Sequence, residues 1–273
     1  MTSIRFVSYN VNGIRAALGK GLLEWLKKDG PDVFCVQEIK ADPAQVDQSG
    51  FMELGYRSWW FPAQKKGYSG VAIFSKIIPD RVEYGIGLEK YDAEGRNIRM
   101  DFGDITLINS YFPSGTTGDI RQDFKMMYLE DFIHYTNHLK RERPRIIVCG
   151  DFNICHKPID INHPGRHQKS SGFLPEEREW MDRFSDSGFV DSFRVFNQQP
   201  EQYSWWSYRA GSRGKNLGWR IDYFMIGESL RGNLRDAGIL KEAVHSDHCP
   251  VMVEMEFLEA PEIVDAINSP FQR

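Results

Sequence analysis

The chain has little cysteine, no long apolar run and no excess of positive charge, and each lack removes a class of protein. Its 273 residues include 4 cysteines, and Cys35, Cys149, Cys155 and Cys249 do not fall in the paired spacings that hold zinc. Three of them sit in or beside apolar strand patterns, so buried free thiols are expected in place of disulfides, in keeping with a reducing compartment. No apolar stretch approaches the roughly 18 residues of a membrane helix. Met1-Thr2-Ser3 leads directly into a strand pattern without the basic, apolar and small-residue regions of a secretion signal, so the expected location is cytoplasmic, with no membrane partner. A net charge of −4 gives no global pull toward nucleic acid, and an anionic substrate must be met by local clusters. No Pro/Gly/Ser-rich linker and no solenoid period divides the chain, which argues for one domain over residues 1–258. Residues 259–273, with Pro261 and Pro270, follow the last strand pattern as a tail, open between a flexible extension and a short docking helix.

What the chain does have is apolar and aromatic mass: 41% hydrophobic residues, with 18 Phe, 11 Tyr and 7 Trp, enough for a large core and a surplus for a binding surface. Apolar runs, continuous or of period two, predict strands over residues 4–9, 33–36, 70–75, 97–102, 105–112, 145–149, 221–226 and 250–257. Spacings of three and four predict helices over 22–28, 119–143 and 175–187, the last with Pro175 in its first turn. Strand-rich halves with interspersed helices describe an α/β (α+β) sandwich, not an all-β barrel.

The polar residues at the ends of these strands carry the chemistry. Asp247 and His248 stand side by side just before an apolar run, a carboxylate beside an imidazole. Glu38 ends the run 33–36; there it either meets water or serves as a ligand for a hard cation such as magnesium, which needs one or two carboxylates and oxygen partners. Asp247 and the amide oxygen of Asn10 are the companions at hand. Gly150-Asp151-Phe152-Asn153 reads as a turn, or as a proton handler and a neutral hydrogen-bond donor aimed at one phosphate. Asp222 lies inside an apolar strand, where a lone carboxylate is costly. Its partner is His248, whose protonated form it would favour, or alternatively Arg220. Tyr111 closes the strand from 105 as an interfacial aromatic, a donor to a phosphate oxygen, or a base. The chain also echoes itself, with Tyr9-Asn10-Val11-Asn12 and Gly150-Asp151-Phe152-Asn153 each ending an apolar strand. Such placement is expected when two sheets present their loops to one rim.

The ordered set Asn10-Val11-Asn12-Gly13, Gln37-Glu38, Gly70-Val71-Ala72, Tyr111-Phe112-Pro113, Gly150 to Asn153, Gly218-Trp219-Arg220-Ile221-Asp222-Tyr223 and Ser246-Asp247-His248-Cys249-Pro250 resembles the exonuclease III family of apurinic/apyrimidinic (AP) endonucleases, within the endonuclease/exonuclease/phosphatase superfamily. The resemblance spans residues 3–257. It implies a four-layer αββα sandwich of two packed mixed β-sheets flanked by helices. It also implies that Glu38, with Asn10 and Asp247 nearby, holds magnesium or manganese, with Asp151 and Asn153 as a second position. Asp151 would then orient or deprotonate the attacking water or protonate the leaving oxygen. Asn153 and His248 would contact the scissile phosphate, Asp222 would orient His248, and Tyr111 would lie against the phosphate. One departure is Asn12, where many members carry an acid, so metal binding here rests on fewer negative charges.

The fold alone does not name a substrate, since the superfamily also cuts small and lipid phosphates. The discriminating stretch is 203–220, where Trp205, Trp206, Tyr208 and Trp219 alternate with Arg209, Arg213, Lys215 and Arg220. It is similar to the segment that walls the pocket for a flipped abasic sugar in AP endonucleases. That similarity assigns Trp205, Trp219 and Ile221 to the pocket and Arg209 to a probe of the DNA stack. An abasic nucleotide has no stacking to lose, and a tight apolar pocket excludes an intact base. The resemblance thus implies an enzyme that binds duplex DNA containing abasic sites and cuts 5′ to them, at a site that could also trim or degrade 3′ ends, and a monomer is the expected state. The rivals are a phosphoesterase of the same superfamily acting on small or lipid phosphates and a catalytically weak DNA-binding relative.

Overall fold

A computed structural model of the chain describes residues 1–257, so the expected tail at 259–273 lies outside the described residues. Twelve strands are formed: β1 (Thr2–Asn10), β2 (Val33–Gln37), β3 (Arg57–Phe61), β4 (Val71–Ser75), β5 (Arg81–Tyr84), β6 (Asn97–Phe102), β7 (Ile105–Tyr111), β8 (Arg145–Asp151), β9 (Phe189–Asp191), β10 (Asp222–Gly227), β11 (Leu234–Ile239) and β12 (Val251–Phe257). They make two six-stranded sheets with the orders β11-β12-β1-β2-β4-β3 and β5-β6-β7-β8-β10-β9. Each sheet is mixed: β1 runs parallel to β2 and β7 parallel to β8, with antiparallel neighbours on either side.

Period-two alternation along the strands decides the layers. In β1, Ile4 and Phe6 enter the core shared by both sheets, while Val7 and Tyr9 face outward. In β8, Ile147 and Cys149 face inward, and Ile146 and Val148 outward. The inner faces therefore pack sheet on sheet, and each outer face must be covered by helices. α1 (Ile14–Leu18), α2 (Leu22–Asp29) and α3 (Ser49–Glu53) cover the first sheet with Ile14, Ala17, Leu22, Leu26 and Phe51. On the second sheet lie α4 (Glu89–Asp92) and the long helix α5 (Asp119–Glu142), whose Tyr128, Leu129, Phe132, Ile133 and Leu139 follow helical spacing, and α6 (Pro175–Asp186), with Trp180, Met181 and Phe184. A last short helix, α7 (Ser192–Phe196), follows β9. The result is the four-layer αββα sandwich.

Two features carry this frame to the rim. The inner core holds a polar bridge: Gln37 of the first sheet donates to Asn109 of the second at 2.7 Å, and Asn109 donates back to the carbonyls of Val36 and Ala72. It fixes the sheets against each other one residue below the rim. Gly150 has a φ of 137°, and a Cβ there would lie 1.8 Å from the Ser110 carbonyl oxygen. Only glycine lets β7 and β8 close up directly beneath Asp151. All four cysteines are buried and free, and among the described residues no helix is long and apolar enough to cross a membrane.

Candidate active site

The ends of the central strands share one rim. β1 and β2 finish together, with Asn10 opposite Gln37. In the second sheet Tyr111 pairs with Asp151 and Asp151 with Asp222, so these three stand in one row. The loops beyond are stitched in turn: Val11 N–H donates to Gln37 O and Gly13 N–H to Glu38 O, while Phe112 N–H donates to Asp151 O and Phe152 N–H to Ile221 O. Four non-glycine residues here have positive φ: Asn12 (45°), Glu38 (56°), Lys40 (51°) and Asn153 (52°). Each costs on the order of 1 kcal/mol, and strain of this kind gathers where side chains must be aimed.

Asn10 joins the two sheets at the rim. Its Nδ2 donates to Glu38 Oε2 at 3.0 Å and to Asp151 Oδ2 at 2.9 Å. Its Oδ1 accepts the Asn12 N–H at 2.9 Å. In this conformation Asn10 sets the spacing of two carboxylates, while its own amide oxygen, read from the sequence as a cation ligand, is turned to the backbone.

Asp151, Asp222 and His248 are all buried. His248 Nδ1 lies 2.9 Å from Asp222 Oδ2, and its Nε2 lies 3.9 Å from Asp151 Oδ2. Asp222 is held by Ser204, whose hydroxyl donates to it at 2.6 Å. Arg220, the alternative partner for Asp222, is instead buried against Asp160 and Asp191. Burial alone would lower the His248 pKa, but the carboxylates of Asp222, Asp151 and Asp247 raise it to about 10. Burial pushes Asp151 up to about 7, helped by Asp222 and opposed by His248 and the Asn10 hydrogen bond. An imidazolium thus faces a carboxyl group poised to take or give a proton at neutral pH. Ligand atoms of Asp151, Asp222 and His248 lie within 4.8 Å of one another, a grouping able to hold a metal ion. A charged imidazole donates at both nitrogens, however, and has no lone pair for a metal.

Oxygen donors without an imidazole lie on the other side of Asn10. Glu38 Oε1 holds the Lys40 ammonium at 2.8 Å, and Lys40 also donates to Asn12 Oδ1 at 2.6 Å. Asn12 Nδ2 donates to Asp247 Oδ1 and Trp205 Nε1 to Asp247 Oδ2, each at 3.0 Å. Burial works to raise the Asp247 pKa, but His248 and the bonds from Asn12 and Trp205 hold it below the usual carboxylate range. Two carboxylates and an amide oxygen, already bearing a cationic ammonium, are the donor chemistry of a hard divalent ion.

Tyr111 borders this group. Burial, Glu38 and Asp151 push its phenol well above its ordinary pKa. A raised pKa favours the protonated phenol, a hydrogen-bond donor. Asn153 Nδ2 donates to Phe112 O at 3.0 Å and reaches Asp151 Oδ2 at 3.3 Å.

These groups open into a cleft of about 920 Å³, lined by Glu38, Tyr111, Asp151, Asn153, Asp247 and His248 together with Trp205, Trp219 and Ile221. Trp205 and Trp219 meet edge to face at 5.9 Å. Lys169 to Gly172 also line it. Arg209 is exposed on the neighbouring loop, while two other cations of the 203–220 stretch are not free for a substrate. Arg220 is buried, and Arg213 stacks on Trp206 and donates to the carbonyls of Lys241, Ala243 and Ser246. Lys40 and Ser204 are site residues that the sequence reading missed. A lysine two residues after the strand-end Glu38 was the available signal for the first; nothing marked the second.

A rim built this way suits one class of enzyme, the phosphodiester hydrolases. Residues 7–248 match the Endonuclease/Exonuclease/phosphatase family, and the chain belongs to it. It is 44% identical over 250 residues to an exodeoxyribonuclease of Bacillus subtilis, covering 91% of this chain and 98% of that one. It is 40% identical over 252 residues to the DNA repair nuclease APEX1 of Danio rerio, covering 91% and 81% respectively. An AP endonuclease structure from Archaeoglobus fulgidus superposes with a TM-score of 0.85 at 29% identity, over 93% of this chain and 100% of that one.

Proposed function

We propose that the protein is a DNA repair nuclease that cleaves the phosphodiester 5′ to an abasic site in duplex DNA, leaving a 3′-hydroxyl and a 5′-deoxyribose phosphate. The observation that carries this reading is an acid near neutral pKa, Asp151, against a charged His248 at the mouth of a cleft walled by Trp205 and Trp219. The relatives named for AP endonuclease and exodeoxyribonuclease activity support it. Trimming of 3′ blocking groups and 3′-5′ degradation are the same bond cleavage at a strand end.

In this reading Asp151 either takes the proton of the attacking water as the new oxygen–phosphorus bond forms, or gives a proton to the 3′ oxygen as the old bond breaks. His248, kept charged and oriented by Asp222, faces the non-bridging oxygens as negative charge builds on them. The amide of Asn153 and the phenol of Tyr111 donate to the same phosphate. Glu38, with Asn10 and Asp247 beside it, would hold magnesium or manganese, and Asp151 with Asn153 offers a second position. The ion supplies neutralising charge at a phosphate oxygen. Trp205, Trp219 and Ile221 receive the baseless sugar, and Arg209 contacts the strand beside it. A pocket of this kind admits an extruded abasic nucleotide at lower cost than an intact one. All these groups come from one chain, as a monomer requires, and the four buried thiols suit a reducing cytoplasm.

The decisive experiment is end analysis of the products from a duplex with a single abasic site, with and without EDTA. The expected result is a 3′-hydroxyl upstream and a 5′-deoxyribose phosphate downstream, both lost on chelation. Cleavage on the 3′ side, or full activity in EDTA, would overturn the reading. Faster turnover of inositol phosphates than of abasic duplex would favour the small-phosphate hydrolase instead.

A further inference from the structure

Behind the cleft lies an ion pair with no contact to solvent. Lys125 of α5 and Glu177 of α6 meet at 2.6 Å with 0% of either side chain exposed. Removing two charges from water costs several kcal/mol per ion, and a well-packed apolar pair would serve stability as well or better. Neither group was marked by any motif, and neither touches the cleft directly. Their remaining bonds show what the pair secures.

Lys125 Nζ donates to the carbonyl oxygen of Asn153 at 2.7 Å. Glu177 Oε2 accepts the backbone N–H of Gly172 at 2.6 Å and of Leu174 at 3.0 Å, and its Oε1 accepts from Gln122 at 3.1 Å. One ion pair therefore grips Asn153 with one hand and Gly172 with the other. Gly172 abuts the cleft wall: a Cβ at its position would lie 2.9 Å from Trp219 Cζ3 and 3.1 Å from the Asn153 carbonyl oxygen. Asn153 in turn holds a left-handed backbone, at φ 52°, that needs outside support.

We propose that Lys125 and Glu177 are positioning residues that fix the gap between the phosphate contact at Asn153 and the sugar wall at Trp219, and so set the preference for a nucleotide without a base over an intact one. The inference rests on the substrate reading given above. A wall held close to Asn153 leaves room for a bare deoxyribose. Loss of either tie lets the Gly172 segment and Trp219 move away from the phosphate contact, which penalises the abasic substrate most and an intact 3′-terminal nucleotide least.

The test compares wild type, Glu177→Gln, Lys125→Met and the charge-free double variant. For each, kcat and KM are measured for abasic-site incision and for 3′-5′ degradation of an intact duplex, alongside Tm. Each single variant leaves one buried group unpaired and lowers Tm; the double variant recovers much of the loss. In all three the ratio of kcat/KM for abasic incision to that for exonuclease falls by about tenfold, the size of effect that small changes in pocket fit produce. A double variant with restored Tm and a ratio within about twofold of wild type, the usual scatter between independent sites, would reduce the pair to a structural role and overturn the proposal. If Lys125→Met does not fold, the isosteric Glu177→Gln carries the same comparison. Failure of the wild-type protein to incise abasic duplex would count against the substrate reading, and the ratio of the variants to wild type separates that failure from this one.

Discussion

The two sides of Asn10 hold carboxylates of similar number in unlike surroundings. On one side Asp151 and Asp222 are buried with His248, so burial and the neighbouring Asp222 push an acid up to about 7, and the carboxylates push an imidazole, against burial, up to about 10. On the other, Glu38 and Asp247 keep partial access to the cleft and are satisfied by an ammonium, two amide N–H groups, an indole N–H and a hydroxyl. Burial on the first side tunes protons, and exposure on the second leaves room for cations to come and go. In the proposed function the same residue type serves two tasks because its surroundings differ.

Breaking the proton side should have the largest effect. Asp151→Asn and His248→Ala are each expected to lower kcat for abasic incision by roughly 10² to 10⁴-fold with folding intact by circular dichroism; a loss below about tenfold would remove the assigned roles. Breaking the cation side should give a different signature. Glu38→Gln is expected to lower activity by about tenfold or more at fixed magnesium and to regain part of it as magnesium is raised, as loss of a metal-orienting group commonly does. A variant with an unchanged magnesium titration would place the ion elsewhere.

The pH profile sharpens the contrast more gently. Activity should rise as Asp151 deprotonates near 7 and fall as His248 loses its proton near 10. Asp222→Asn removes the chief influence raising His248, so the alkaline limb should move to lower pH while the limb near 7 also shifts down for want of a neighbouring charge. Stability follows the same groups. His248 has a folded pKa near 10 against 6.5 for the ordinary side chain, so its contribution is complete below 6.5 and is lost as pH rises toward 10. Asp151, raised from 3.8 to about 7, acts in the same direction over its own lower window. Thermal melts should therefore fall in Tm between pH 6.5 and 10, and the slope should flatten in His248→Asn. Smallest of all, Arg209→Ala should raise KM for DNA by a few-fold, as loss of one exposed cation beside the bound strand does, and leave the pH and magnesium profiles of both sides unchanged.

Legibility in the sequence follows burial. The eight predicted strands are β1, β2, β4, β6, β7, β8, β10 and β12, all with two neighbours in their sheets. The four that escaped, β3, β5, β9 and β11, are the edges. An interior strand with one face on the other sheet and the other under helices is apolar along most of its length, as Val33 to Val36 are. An edge such as Arg81–Tyr84 is partly solvated, and its pattern dissolves into ordinary surface composition. The short helices α1, α3, α4 and α7 were invisible for a related reason, since five residues or fewer cannot display a helical period. Among site groups, those ending interior strands stood out, because polarity there breaks an apolar run. Ser204, Lys125 and Glu177 had no such background. The 203–220 stretch misled in part: its cations look alike in sequence, and only the fold shows that Arg220 is a buried strut.

The hydrogen bond from Asn10 to Asp151 turns the catalytic rim into a gauge between two plates. Asn10 ends a strand of one sheet and Asp151 a strand of the other, so this amide, like the Gln37–Asn109 bridge in the core, reports how far apart they stand. Sliding of one sheet over the other by even an ångström would stretch the bond to Asp151 before any core contact opened, while the bond to Glu38, within the first sheet, would be unmoved. Conservative enlargements or truncations deep between the sheets, at Cys35 or Cys149 for instance, should therefore register as lost catalytic alignment while the melting temperature is still close to normal. For this enzyme, inter-sheet registration is an active-site parameter.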